Sequence, residues 1–184
     1  LARISLDKPV YKEKLRLRAY GTPTDGSPVF LEIKKKYDGV VYKRRVSTDF
    51  AQAMRFLTEG IPPESGDYVS RQVTAEMTHM IRRDGLIPRA AVFYDRRAFH
   101  GADDPELRLT LDGNIRFRLG DLDLRHGTDG DTLPGQSFRI MEIKSASSIP
   151  LWLAGTLSEL GIRPGSFSKY GSVYKQRFHN LCTT

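Results

Sequence analysis

Cysteine is almost missing: Cys182 is the one thiol in 184 residues. A single thiol excludes an internal disulfide and a thiolate metal cluster, and it suits a reducing compartment. Long apolar runs are missing as well, and none approaches the ~20 residues that a membrane helix needs. There is no Gly-x-x-x-x-Gly-Lys loop to support a Walker-type phosphate cradle, and no Gly-x-Ser-x-Gly elbow to present a nucleophilic serine. His79, His100, His126 and His179 show neither metal-ligand spacing nor a neighbouring nucleophile, which leaves them ordinary surface or helix roles. The opening Leu1-Ala2-Arg3-Ile4 carries no signal-peptide pattern. It starts abruptly before a strand, so residues upstream are expected to be missing, and with them any targeting signal.

What is present is positive charge. Twenty-nine lysines and arginines against 22 acids give +7, which implies a polyanionic partner: nucleic acid, an anionic membrane surface or a phosphorylated molecule. Hydrophobic residues at 39% and charged ones at 28% describe an ordinary globular chain of one domain, large enough to bury a core without staples.

Placement of the charge is more informative than its amount. In Tyr11-Lys12-Glu13-Lys14-Leu15-Arg16-Leu17-Arg18-Ala19-Tyr20 the period is two, so Lys12, Lys14, Arg16 and Arg18 share one strand face and Leu15, Leu17 and Ala19 the other. After a Gly/Pro/Asp/Ser loop over 21–28, the strand 29–37 puts Glu32, Lys34 and Lys36 opposite Leu31 and Ile33. Asp38-Gly39 signals a hairpin, and the return over 40–46 puts Val41, Lys43 and Arg45 on one side. Lys35, Arg44 and Arg97 fall on opposite faces from these neighbours, as surface or helix-packing groups. Thr48 or Asp49 can cap a helix ended by Gly60, and a longer helix spans about 67–83, with Met54, Met77 and Met80 as core residues and Gly85 as the stop. Strands follow over 89–99, 107–111 and 115–119, the last two joined by a turn at Asp112-Gly113-Asn114. A polar loop over 120–134 leads to a strand over 137–145. A helix over 150–160 carries Leu151, Trp152, Leu153 and Leu157, read as packing, and a basic-aromatic tail covers 166–178. The class is α+β, with about seven antiparallel strands in a curved or closed sheet.

Strand after strand thus has a cationic face: Lys12/Lys14/Arg16/Arg18, Lys34/Lys36, Lys43/Arg45 and Arg116/Arg118. Rolled inward in a barrel, these rows would repel strongly unless a polyanion lay between them. An extended phosphate chain, held by charge-assisted and often bidentate contacts, fits that geometry. Glu32 and Glu142 each share a face with a lysine two residues on. Amid phosphates they are candidate ligands of Mg²⁺ or Mn²⁺; the bland reading pairs each with a lysine of a neighbouring strand.

Seven stretches, taken in order, resemble a VTC domain, the polyphosphate-polymerase branch of the triphosphate tunnel metalloenzymes (CYTH-like). They are 11–21, Phe30-Leu31-Glu32-Ile33-Lys34, Val41-Tyr42-Lys43-Arg44-Arg45, Tyr94-Asp95-Arg96-Arg97-Ala98-Phe99, Leu107-Arg108-Leu109-Thr110-Leu111-Asp112, Met141-Glu142-Ile143-Lys144 and Phe167-Ser168-Lys169-Tyr170. The resemblance implies a single domain over 1–184: an antiparallel β-barrel tunnel with helices packed outside, lacking its N-terminal strand. It implies an ATP-dependent polymerase that moves the terminal phosphate of ATP onto growing polyphosphate. Arg16, Arg18, Lys34, Lys43, Arg45, Arg96, Arg108 and Lys144 would line the tunnel, with Lys169 on phosphate near its end and Glu142 on Mn²⁺ or Mg²⁺. Lys14 and Arg116 join the phosphate-binding set from the strand pattern, and Glu32 joins Glu142 as a candidate metal ligand. The expected partners are ATP and polyphosphate, with no nucleic acid. The family also suggests a membrane-protein partner and a cytoplasmic place at the inner face of a membrane. Rivals are a triphosphate or polyphosphate hydrolase on the same fold and a non-catalytic receptor for polyphosphate or inositol phosphates. Nucleic-acid binding is a weaker third, prompted by the net charge and the basic-aromatic tail.

Overall fold

The computed structural model describes residues 10–64, 66–133 and 137–181. Residues 1–4, Cys182 and the side chain of His179 lie outside that description. The chain gathers into two compact units. One holds the described residues up to Ala91 together with Leu119–Thr128, and the other holds Val92–Arg118 with the described residues from Asp129 onward. The α+β class is observed, with two sheets and four helices among the described residues.

The first unit is built on a three-stranded antiparallel sheet, β1 (Tyr11–Arg18), β2 (Pro28–Tyr37) and β3 (Val40–Asp49), in the order β1-β2-β3. Asp38 and Gly39 turn the β2–β3 hairpin with positive φ, 42° and 83°, as an Asp-Gly pair allows. Helix α1 (Phe50–Glu59) starts at Asp49, whose carboxylate accepts from the Gln52 amide, and ends at Gly60 in the left-handed region. Helix α2 (Tyr68–Asp84) is capped in the same way by Asp67 and Gly85. Both ends follow from local chemistry, since an aspartate satisfies orphan amides and glycine tolerates positive φ. One face of the sheet and both helices bury Val29, Leu31, Ile33, Val46, Phe50, Ala53, Phe56, Val73 and Met77, with Leu15, Leu17, Ala19 and Met54 packed on them. Val69, on the first turn of α2, stays exposed. The returning segment is pinned by Leu124 on this core. Arg125 bonds Asp25 at 2.7 Å, and its guanidinium stacks over Phe50.

The second unit contains β4 (Ala91–His100), whose first residue belongs to the first unit, β5 (Arg108–Arg118), β6 (Asp131–Thr132) and β7 (Ile140–Lys144). β5 bonds β4, and both β6 and β7 pair with β5 antiparallel. Helices α3 (Leu151–Glu159) and α4 (Lys169–Leu181) follow. Two sequence expectations are corrected here. The segment over 107–119 is one strand, not two joined by a turn. Asp112-Gly113-Asn114 kinks it instead, with Asn114 at φ 51°, because pairing with β7 on one side of the kink and β6 on the other holds the chain extended. In α3 only Leu153 is buried, and Leu151 and Trp152 are 90% and 65% exposed, so Trp152 is not a packing residue. The basic-aromatic tail forms α4. No helix among the described residues is long and apolar enough to cross a membrane.

Candidate functional site: two basic sheet faces

Antiparallel partners share a face, so the register of the first sheet fixes its charged surface. Lys14 stands beside Lys34 and Lys34 beside Lys43; one rung on, Arg16 stands beside Glu32 and Glu32 beside Arg45. Arg18 and Phe30 form the next rung, and the Arg45 guanidinium lies 4.9 Å from the Phe30 ring centre. Six cations from three strands are thereby gathered on the face opposite the core. Packing around the Lys14 ammonium, and then the like charges of Lys34, Lys12 and Arg16, push its pKa down. Crowded cations of this kind favour a bound anion, which would relieve their repulsion.

Glu32 lies among these cations and is 2% exposed. It takes a hydrogen bond from Arg16, pairs with Lys43 at 3.0 Å and with Arg18 at 3.8 Å. Burial alone would raise its pKa; the bonds from Lys43 and Arg16, with the charges of Arg16 and Arg18, outweigh that and lower it. Its carboxylate is therefore engaged as an internal counter-ion among Arg16, Arg18 and Lys43.

On the other side of the same sheet the acids have a different task. Glu13, 5% exposed, takes bonds from Tyr11 and Arg83 and lies 3.4 Å from Lys35. Glu76 of α2 holds Lys35 at 2.6 Å and Arg44 at 2.8 Å. Lys35 and Arg44 are helix-packing groups, and Arg97 is exposed.

The second sheet has its own basic face. Arg108 stands beside Lys144, Thr110 beside Glu142 and Asp112 beside Ile140. Asp112 is fully buried and takes two bonds from Arg96, at 2.6 and 2.7 Å, and one from the Lys169 ammonium at 2.6 Å. Burial pushes its pKa up, and the bonds from Arg96 and Lys169 reverse that to a net lowering. The same contact raises the Arg96 pKa, and the charge of Glu142 adds to it. Tyr94 completes the arrangement, its ring centre 4.5 Å from the Lys169 nitrogen and 5.4 Å from the Arg96 guanidinium. Arg96, Arg108, Lys144, Lys169 and Glu142 thus share one surface, with Asp112 as the hub that ties β4 and α4 to β5.

Arg116 does not join them. It pairs with Asp95 at 3.2 Å, Asn114 donates to Asp95 at 2.8 Å, and Arg118 lies over Phe93. Phe93 and Asp95 are on the face of β4 opposite Tyr94 and Arg96, by the period of two. The kink at Asn114 reverses the side-chain alternation of β5, as a bulge does, so Arg116 and Arg118 project on the reverse face.

The VTC domain model matches residues 3–178. This chain belongs to the VTC domain family. A search of the curated proteins finds no match. The VTC family is associated with polyphosphate synthesis, which ties the chain to polyphosphate-related function. Within the VTC domain the positions matched to family motifs divide between the two surfaces: Arg16, Arg18, Lys34, Lys43 and Arg45 on one, Arg96, Arg108, Lys144, Lys169 and Glu142 on the other. Among the described residues no three His, Cys, Asp or Glu side chains form a metal cluster. Glu142 is exposed on its basic face. Sequence reasoning quoted Asp112 and Tyr94 inside motifs without giving them a task. Their partners are 57 and 75 residues away in Lys169, beyond the reach of any local pattern.

Proposed function

We propose that this VTC domain is a polyphosphate polymerase. The observation that supports it is the sorting of ten motif positions, scattered from Arg16 to Lys169, onto one face of each sheet. The fold the family implies is a barrel tunnel whose basic strand faces hold a phosphate chain, with the protein acting as one domain. A terminal phosphate oxygen of the chain attacks the γ-phosphorus of ATP, a new P–O–P bond forms, and the bond to the β-phosphate oxygen breaks to release ADP. A terminal phosphate ionised at neutral pH needs no general base. Arg16, Arg18, Lys34, Lys43 and Arg45, together with Arg96, Arg108, Lys144 and Lys169, hold the reacting groups in line and neutralise charge, which is most of what phosphoryl transfer asks of a protein. Mn²⁺ or Mg²⁺, held by Glu142 together with phosphate oxygens, would screen the charge between them. Arg116 belongs to the sheet's reverse face and has no part in this reading.

Incubation with ATP and Mn²⁺ tests the assignment by its product. Long-chain polyphosphate supports it. Orthophosphate without polymer would assign a hydrolase, and binding without turnover a receptor. Two variants refine the test. Arg108→Ala, whose side chain has no ion-pair partner among the described residues, should abolish polymer synthesis with an unchanged melting temperature. Glu142→Gln should lower activity and shift its metal dependence while leaving ATP affinity nearly intact; an unaltered metal titration removes Glu142 as a ligand.

A further inference from the structure

The end of the first sheet carries an exposed apolar surface that the phosphate chemistry does not use. Tyr11, Tyr37 and Val40 share its outermost rung, and Asp38 of the turn donates its amide to the Val10 carbonyl. Val41 and Tyr42 follow on opposite faces of β3. All six apolar residues are open: Val10 66%, Tyr11 44%, Tyr37 59%, Val40 54%, Val41 48% and Tyr42 61%. Together they expose on the order of 600 Å², as large as the biggest apolar patch of an ordinary monomer.

Directly behind this tip stands a band of cations. Lys12 and Lys36 occupy the next rung, Lys35 the one after, and Lys14, Lys34 and Lys43 the fourth. Rungs are about 3.4 Å apart, so these lysines start roughly 3–10 Å behind the tip, and their stems can carry the ammonium groups further. Lys35 is held by Glu76 and Glu13, and Lys43 by Glu32; Lys14, Lys34 and Lys36 are exposed members of the band.

We propose that the β2–β3 hairpin end, with Val10 and Tyr11, docks on an anionic lipid surface. Valine and tyrosine side chains enter the headgroup–acyl boundary, and the lysine band meets the lipid phosphates. An interfacial element buries its apolar side about 5–10 Å deep with basic residues at the headgroup level, which matches the spacing found here. Tyrosine suits that boundary because its ring is apolar and its hydroxyl stays wet. A stable protein interface needs about 800 Å² on each partner, more than this tip offers, whereas lipid insertion has no such threshold. Lys34 and Lys43 are shared with the polymerase reading, whereas the apolar tip and Lys36 are not, and the variants below change only the tip.

Sedimentation of the full chain with vesicles tests it, comparing neutral phosphatidylcholine with a mixture containing about 30 mol % phosphatidylserine. Binding to the anionic vesicles alone is expected. The double variant Val40→Ser/Tyr42→Ser, which keeps the net charge, should weaken that binding about tenfold with an unchanged thermal melt. Were the double variant to unfold, Val41→Ser alone reads the same loss. Wild-type protein that ignores anionic vesicles would overturn the proposal. So would equal binding by the variants, with tripolyphosphate displacing both proteins, because the basic face alone would then be responsible. A wild-type dimer that the double variant converts to monomer, with no vesicle binding, would assign the tip to self-association instead.

Discussion

Asp112 decides how two distant cations reach one surface. Its carboxylate is fully buried and holds both the Arg96 guanidinium and the Lys169 ammonium. Removing one partner from a buried ion pair strands the others, and Asp112→Asn should cost about 2–3 kcal/mol, reduced from the fully buried case because Arg96 and Lys169 reach solvent. The pH dependence has a definite sign. The folded pKa of Asp112 is depressed, so its contribution is complete above the ordinary carboxylate value of about 4 and is lost as the pH falls through the lower folded value. Acid denaturation of Asp112→Asn should therefore be shallower than wild type below about pH 4, while its stability at neutral pH is lower. A variant with wild-type stability at pH 7 would show that the three charges do not act as a unit.

At the level of elements, a legible boundary is one set by neighbours in the chain. Asp49 with Gly60 and Asp67 with Gly85 delimit α1 and α2, because a capping carboxylate and a left-handed glycine act within one turn. The Asp38-Gly39 hairpin is legible for the same reason. Asp112-Gly113-Asn114 has the same local chemistry and a different outcome, since β6 and β7 hold β5 extended on either side. The charged rows of the first sheet were readable from period two, but Arg116 was not, because a bulge shifts the period without changing the pattern of polar and apolar letters. Nor could periodicity show that Glu13 meets Arg83 or that Glu32 is held by three cations. Asn114 gives this a test. Its φ of 51° is open to asparagine and glycine but strained for a β-branched residue; both variants lose the bond to Asp95, so Asn114→Val should lose about 1–2 kcal/mol more than Asn114→Gly. Thermal melts of the pair measure the difference; equal losses would mean that the kink does not depend on that conformation.

On the scale of the whole molecule, the polymerase reading asks the two basic faces to serve one ligand. Each face is electrostatically self-contained: one balances its cations with Glu32, the other with Asp112. Either could hold a short anion alone, so weak binding of tripolyphosphate says little. A long chain discriminates. If both faces grip the same polymer, calorimetric titration with a monodisperse polyphosphate should give one chain per protein. Lys34→Ala in the first sheet and Arg108→Ala in the second should then each lower that single affinity, by an amount that shrinks as salt screens the contacts. Charge release also predicts a shallower salt dependence in both variants, since each has one fewer cation on the polymer. Two binding events, of which Lys34→Ala weakens one and Arg108→Ala the other, would mean separate receptors on separate surfaces, and the shared channel would have to be abandoned.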